Sequence, residues 1–402
     1  MTRIVVVEPD GAGGMIHYAY QMCSALSAAG AEVTLITRTD YELADLPHTF
    51  QVVPMMRLWP AIESQPHRSR PVAIASALGR KARRVWRGVR YAREWSRITL
   101  RILSERPDVA QFGVIRFPFQ VVFLRRLRRA GIALAQVCHE FEPREAGRLA
   151  RWVNRVLSTR LYRTFDVIFL HAPESAEQFL DHFPVDPRVV RLIAHGNEAM
   201  FLHAADVGGD LRERYGIPAE RPVVLFFGGI RPSKGVPDLI AAFAKARTEI
   251  DCHLVIAGPA VGVDPADLAT EAERLGVGDR VTIDDRYLPI SEVGPLLRTA
   301  TVVALPYHTA MASGVLQVAY AFGRPVVATA VGALGTDVID GETGLLVPPS
   351  DSAALCGALV KILSDPAEAE HMGTRARELA MTDFAWEPIA AALLEAYRGV
   401  TR

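Results

Sequence analysis

The sequence predicts an α/β fold built from two doubly wound, Rossmann-like lobes that face a central cleft. Three observations carry that prediction. Short Val- and Ile-rich runs alternate with longer helical stretches along the chain, the pattern of parallel strands joined by crossover helices. The alternation restarts at Arg221, after a stretch bearing Gly and Pro. A length of 402 residues also exceeds what one hydrophobic core usually serves.

The elements follow in order. Residues 2–8, with Arg3-Ile4-Val5-Val6-Val7, alternate little and read as a buried parallel strand. A glycine-rich turn, Asp10-Gly11-Ala12-Gly13-Gly14, leads into a helical pattern from Ile16 to Ala29, closed by Gly30. Glu32–Thr37 then completes a β-α-β unit, and further strands are expected at 108–114, 132–138, 166–171 and 189–194. The segment 196–220, with Gly196, Gly208, Gly209, Gly216 and Pro218, reads as a connection. Strands at 222–228, 252–258, 280–284, 300–305, 325–329 and 344–347 make the second lobe, and helical sequence from about 351 to 400 closes the chain. The expected division is a lobe over 1–200, a linker over 201–220, a second lobe over 221–383 and a terminal segment over 384–402.

Half of the residues are hydrophobic, and no low-complexity block interrupts them, so the full length can bury a core. Cys23, Cys138, Cys252 and Cys356 stand singly. The absence of CxxC pairs and of His/Cys clusters at ligand spacing argues against disulfides and structural zinc, and suits a reducing compartment. The N-terminus has no signal-peptide pattern, and no run of about 18 uncharged apolar residues occurs. The expected location is the cytoplasm, at most peripheral on the inner face of a membrane.

A formal net charge of zero hides an asymmetry. Residues 1–205 hold 28 Lys and Arg against 19 Asp and Glu, and residues 206–402 hold 17 against 26. Either two ordinary lobes differ, or the basic half meets an anionic partner. Residues 80–106 concentrate the charge in Arg80, Lys81, Arg83, Arg84, Arg87, Arg90, Arg93, Arg97, Arg101 and Arg106. Val85, Val89, Ala92, Trp95, Ile98 and Ile102 recur there at roughly helical spacing. That is a basic amphipathic helix, whose apolar stripe is expected to pack on the lobe and whose arginines suit an anionic membrane surface. No nucleic-acid partner is expected.

The turn Gly11–Gly14, between strand and helix, favours an anion or the close approach of a ligand. It fails the dinucleotide fingerprint, because G-x-G-x-x-G would need glycine at Ile16, and the second strand ends in Thr37-Arg38 instead of an acid. A nicotinamide-dependent enzyme is therefore disfavoured. The second lobe is more telling. Its first strand runs into Phe227-Gly228-Gly229-Ile230-Arg231-Pro232-Ser233-Lys234-Gly235, and a lysine and an arginine in such a turn suit a diphosphate. Leu305-Pro306-Tyr307 leaves another strand, and Ala312-Ser313-Gly314-Val315-Leu316 opens a helix whose free N–H groups can bind phosphate oxygens.

In these features the chain resembles the GT-B glycosyltransferases of family 4, over nearly its full length. The resemblance is carried by Gly13-Gly14, Cys138-His139-Glu140, His195-Gly196-Asn197, Phe227–Gly235 and Val255-Ile256-Ala257-Gly258. Its longest stretch is Tyr320–Thr329, continued through Gly341–Pro349. Two departures stand out. The family usually has two glutamates eight positions apart where this chain has Ala310 and Val318, and an arginine where it has Gly229. The run from Ser313 to Tyr320 resembles a subgroup that also lacks the glutamates, and Arg231 is the candidate substitute for the arginine.

The resemblance implies transfer of a hexose from a UDP- or GDP-sugar to a hydroxyl, with retained configuration, no cofactor and no essential metal. Lys234, Arg231 and His139 are the catalytic candidates. The donor is expected at Gly13, Gly14, Gly229, Gly258, Tyr307, Ser313, Gly314, Val315 and Leu316, and the acceptor at His17 and Glu140. His17 reads first as a surface residue, His195 as a shaper of the hairpin before the linker, and Asp284, Asp285 and Arg286 as a solvated strand end. Glu140 and Glu142 are the available bases, and hinge closure is expected about 196–220. The terminal helix with Trp386 resembles the family's helix that packs back across both lobes, crossing to the first. The implied acceptor is a lipid-linked glycan or growing polysaccharide. The alternatives are a nucleotide-sugar-binding scaffold that has lost turnover, and a sugar-nucleotide epimerase.

Overall fold

A computed structural model describes residues 1–57, 77–115, 117–141, 148–203 and 211–401. The chain forms two compact units, Met1–Ile193 with Trp386–Arg402, and Ala194–Ala385.

The first unit holds a seven-stranded sheet of β1 (Arg3–Val7), β2 (Glu32–Arg38), β3 (Gln51–Met56), β4 (Val109–Phe112), β5 (Ala133–Val137), β6 (Val167–Leu170) and β7 (Val190–Leu192). Their order is β3-β2-β1-β4-β5-β6-β7, and every pairing is parallel. The second unit holds β8 (Val223–Phe227), β9 (His253–Ala257), β10 (Val281–Asp284), β11 (Val302–Leu305), β12 (Val326–Thr329) and β13 (Gly344–Val347). Their order, β10-β9-β8-β11-β12-β13, repeats the topology, again all parallel. In each sheet the chain steps outward, then returns to the other side of the first strand. That reversal is the switch point at whose C-terminal edge doubly wound sheets place ligands.

Burial explains the strand composition. Val5, Val6 and Val7, and Val223–Phe226 in the second sheet, are almost wholly buried, because helices cover both faces of a parallel sheet. Apart from 344–347, which matches, and Glu32–Thr37, which gains Arg38, the predicted strands lose a residue or two at their ends, where the chain leaves the ladder. The sequence reading passes over β3. Pro54 interrupts its pattern, and β3 is an edge strand on β2, where proline is tolerated.

The Arg-rich segment forms the helix Ala77–Glu105. Trp95, Ile98 and Ile102 are buried as their spacing predicts, and Tyr91 joins them. Val89 turns outward instead, with Trp86 and Leu100, and the Arg90 guanidinium lies 4.6 Å from the centroid of the Trp86 ring. The side chains of residues 80–85 and Arg87 lie outside the described residues, as do Glu142, Gly208 and Gly209. Among the described residues no helix is long and apolar enough to cross a membrane.

The segment 201–220, read as a linker, contributes Phe201, Leu211 and Ile217 to the core of the second unit. Asn197 ties this beginning of the unit to its end, its N–H donating to the Phe384 carbonyl and its Nδ2 to the Ala380 carbonyl, both at 2.8 Å. The closing sequence divides into Ser352–Ser364, Pro366–Met381 and Trp386–Val400. Asp365 caps the second of these by accepting from the Glu368 N–H, with Pro366 at the first helical position. The last helix belongs to the first unit. Its buried Tyr397 donates to Gln111 Oε1 on β4 at 2.9 Å, and the Trp386 ring meets Tyr18 edge-on at 5.0 Å.

Candidate functional site

In the second unit the chain leaves β8 through Gly228, Gly229 and Ile230, makes a single 3₁₀ turn over Pro232–Lys234, and enters the helix Val236–Ala246. Gly235, at the junction, has φ +63°, which glycine adopts without steric cost. A Cβ there would lie 1.9 Å from the Pro306 carbonyl oxygen in the turn after β11. Gly258, at φ +138° after β9, plays the same part, since a Cβ there would lie 2.2 Å from the Gly228 carbonyl oxygen. Glycine thus lets the three turns pack backbone against backbone at the C-terminal edge of the sheet.

That packing places Lys234, one of four lysines among 45 basic residues. Its ammonium nitrogen lies 3.4 Å from the centroid of the Tyr307 ring, a cation–π contact. Tyr307 is 1% exposed, so its ring is a platform under Lys234 more than a wall open to a ligand. Arg231 is exposed on the same turn. A Cβ on Gly229 would meet Arg231 Nε at 3.6 Å, an ordinary contact. Space therefore does not forbid a side chain at 229.

Beyond Tyr307 the chain reaches Ser313, the N-cap of the helix Gly314–Ala321. Ser313 Oγ accepts from the Leu316 N–H at 3.3 Å. Of the three N–H groups the sequence offers to phosphate, Leu316 is thus bonded within the helix, while Gly314 and Val315 stand at its open end. A Cβ on Gly314 would lie 3.7 Å from both Glu198 Oε1 and His195 Cε1. Glu198, a buried carboxylate beside the positive end of this helix, escapes the sequence reading, because nothing local to it signals a helix far along the chain. His195 donates its Nδ1–H to the adjacent Gly196 carbonyl at 3.2 Å, and burial lowers its pKa to about 4, so the ring is neutral at neutral pH. Ala310 and Val318 are both buried.

The first unit brings together two histidines at neighbouring strand ends. His139 follows β5 and His171 follows β6, and His171 Nε2 lies 3.2 Å from His139 Nδ1. His171 Nδ1 lies 3.3 Å from the Ile193 carbonyl oxygen. A carbonyl only accepts, so His171 carries its proton on Nδ1. A neutral His171 then accepts from His139 Nδ1–H, which puts the lone pair of His139 on Nε2. The Tyr18 ring meets His139 edge-on at 4.6 Å. The sequence reading names His139 and misses His171, although a histidine closing the strand predicted over 166–171 was the available signal.

The glycine-rich turn of the first unit is already engaged. Gly13, φ +87°, is the N-cap of the helix Gly14–Ala28, and its N–H donates to Glu42 Oε1 at 2.6 Å. His17 Nε2 lies 2.5 Å from the same oxygen. The anion-favouring position thus holds a carboxylate of the chain itself, and His17 is buried against it, not at the surface. Gly14 and Glu140 are exposed.

The strand end at Asp284 differs from its expected solvated state. Arg286 bridges Asp284 Oδ1 at 2.9 Å and Glu292 Oε2 at 2.6 Å, and the Tyr215 hydroxyl donates to Asp284 Oδ2 at 2.8 Å. Hydrogen bonding to Arg286 holds the Glu292 carboxyl below its ordinary range. All four cysteines are buried and unpaired, in keeping with their scattered spacing.

The comparisons with known proteins agree with this architecture. A family model described as "Glycosyl transferases group 1" matches residues 221–365, and one described as "Glycosyl transferase 4-like domain" matches residues 13–196. The D-inositol 3-phosphate glycosyltransferase of Acidothermus cellulolyticus is 30% identical over 416 residues, covering 96% of this chain and 86% of that protein. The glycogen synthase of Mycobacterium tuberculosis is 28% identical over 431 residues, covering 100% and 95%. Among solved structures, Anabaena HepE in complex with UDP and glucose superposes with a TM-score of 0.74 at 18% identity, covering 99% of this chain and 100% of that one.

Proposed function

The chain belongs to the group 1 glycosyl transferases and is a transferase of GT-B fold; from that premise we propose that it moves a hexose from a nucleoside diphosphate sugar to a hydroxyl of a glycan, with retention at the anomeric carbon. UDP is the favoured nucleotide over GDP, because the similar HepE structure holds UDP and glucose.

One observation carries the reading more than any other: Lys234 held over Tyr307 at the switch point of the second sheet. As the bond from the anomeric carbon to the diphosphate oxygen breaks, negative charge grows on the diphosphate. Lys234, Arg231 and the N–H groups of Gly314 and Val315 are donors of the kind that stabilise such charge in place. Gly258 lets the turns after β8 and β9 pack closely beside these donors, and Gly229 adds no side chain to the same turn. On the first unit, His139 is proposed to meet a sugar hydroxyl through its Nε2 lone pair, with the adjacent Glu140 for the acceptor and the Gly13-Gly14 turn for the donor sugar. His17, bonded to Glu42, holds that turn in place. The scheme draws its positive charge from the protein, so rates in EDTA and in magnesium are expected to match.

The acceptor is proposed to be lipid-linked or a growing polysaccharide, met at an anionic membrane surface through residues 80–106. Support comes from the exposed Trp86, Val89 and Leu100 set among arginines. Such a face joins apolar contact to charge attraction.

The test is a calorimetric screen of UDP, GDP and their hexose conjugates against wild type and Lys234→Ala. Tight binding of one nucleotide that the variant loses is the expected result. Equal binding by both proteins would remove Lys234 from the donor site and overturn the assignment.

A further inference from the structure

The first unit contains a second cationic site, on the edge of its sheet opposite the turns described above. A cavity of about 610 Å³ is lined by Arg125, Arg128, Arg129, Arg160 and Arg163, with Asp166 as its one acid. The helix Val121–Arg129 ends just before β5, and the helix Arg148–Tyr162 just before β6. The cavity therefore lies where these strands begin, whereas His139 and His171 follow their ends. Its volume falls within the range of about 300–1,000 Å³ typical of ligand pockets.

We propose that this cavity is a binding site for a ligand carrying two or more phosphate groups, separate from the nucleotide-sugar site. Arg125 and Arg129 stand one helical turn apart and so share a helix face, as do Arg125 and Arg128. Asp166 cannot neutralise the set. One of its oxygens accepts from the Leu134 N–H at 2.9 Å, and the other pairs with Arg128 at 3.1 Å. Arg163 directs its Nε to the Pro184 carbonyl at 2.9 Å. Among the described residues no carboxylate pairs with Arg125, Arg129 or Arg160. The C-termini of the two helices contribute partial negative charge of about half a unit each, far less than the guanidinium charge that converges there. Crowding like charges around one concavity raises their mutual repulsion, and a polyanion with oxygens for several planar N–H forks relieves it.

That chemistry is shared by a soluble oligophosphate and by a phosphorylated lipid headgroup, and the experiment separates them. Inorganic tripolyphosphate is titrated calorimetrically into Lys234→Ala protein, which weakens the nucleotide-sugar site, so that losses caused by further substitutions in the cavity report on the cavity. The same titration is run with Arg125→Gln, Arg129→Gln and Arg160→Gln added, singly and together. Binding that weakens with salt, and by about tenfold to a hundredfold in the triple variant, is the expected result. Where the triple variant's melting temperature falls, the single variants decide by their own, smaller losses. Flotation with phosphatidylcholine vesicles bearing phosphatidic acid then reads the source. Recruitment that tripolyphosphate competes away and the triple variant lacks marks a headgroup. Tripolyphosphate binding with vesicle recruitment unchanged by the substitutions marks a soluble ligand. No tripolyphosphate binding at low salt, or binding equal in wild-type and triple-variant cavities, overturns the proposal.

Discussion

The Lys234 ammonium stands 3.4 Å from the centroid of the Tyr307 ring, held there by two turns that meet through Gly235. A cation over a buried aromatic face gains about 0.5–2 kcal/mol and, more to the point, a fixed direction. Lys234→Ala is expected to lower kcat/KM by about 10²–10³-fold, the scale of losing one donor to developing charge. Tyr307→Leu should lose less, about 3–30-fold, and Tyr307→Phe should be close to wild type, because the ring and not the hydroxyl faces the charge. Steady-state kinetics with the donor varied checks the ordering.

His171 is a positioning residue for His139. His171→Ala is expected to lower kcat about 3–10-fold with little change in donor KM, against roughly 10²-fold for His139→Ala. The acid limb of the pH–rate profile should also move, since the ring that fixes the His139 tautomer is gone. A residue with only a packing role would leave that limb in place. Partial rescue by His171→Gln, whose amide oxygen can accept from His139, is the confirming result.

The proposal that the open end of the helix Gly314–Ala321 binds phosphate can be tested without touching a side chain. Gly314 is its first residue, and Ser313 before it is extended, at φ −140° and ψ 102°, which suits a following proline. Gly314→Pro removes one N–H from a position where proline is tolerated. Nucleoside diphosphate binding should weaken about tenfold, while Gly314→Ala, which keeps the N–H, stays near wild type. Isothermal titration of both variants distinguishes a backbone donor from simple crowding near Glu198.

Burial raises the Asp337 carboxyl to about 7. A folded-state pKa above the unfolded one gives a contribution to stability that is complete below about pH 4 and is lost as pH rises through 7. Asp337→Asn mimics the protonated form. It should match wild type near pH 4, pull ahead as pH rises, and exceed it at pH 8 by on the order of 4 kcal/mol, read as a rise of about ten degrees in melting temperature. A constant difference across that range would show that the Asp337 carboxyl does not titrate with folding in this window.

Much of the architecture was legible locally. Valine runs such as Val5–Val7 mark parallel strands because both faces of those strands are covered, and Gly30 closes its helix through the left-handed conformation it alone takes cheaply. Lys234, Arg231 and Ser313 stood out for the same reason, since each lies in a turn whose neighbours in sequence are its neighbours in space. The misses have the opposite character. Glu42 reaches Gly13 and His17, His171 reaches His139, Glu198 lies beside Gly314, and Arg286 joins Asp284 to Glu292. Most of these partners are far apart along the chain, and no periodicity encodes them.

The sequence by itself therefore determined the two doubly wound sheets, the glycine-bearing turns at their C-terminal edges and the family to which the chain belongs. Hydrophobic period and turn chemistry act over a few residues and survive in a linear reading. Only the tertiary structure decided which side of each turn is already occupied. It gave the Leu316 N–H to Ser313, the Gly13 N–H to Glu42 and the Tyr307 ring to Lys234. Crossover connections bring strand ends together in an order unlike their order in the chain, so hydrogen-bond partners at those ends are set by topology.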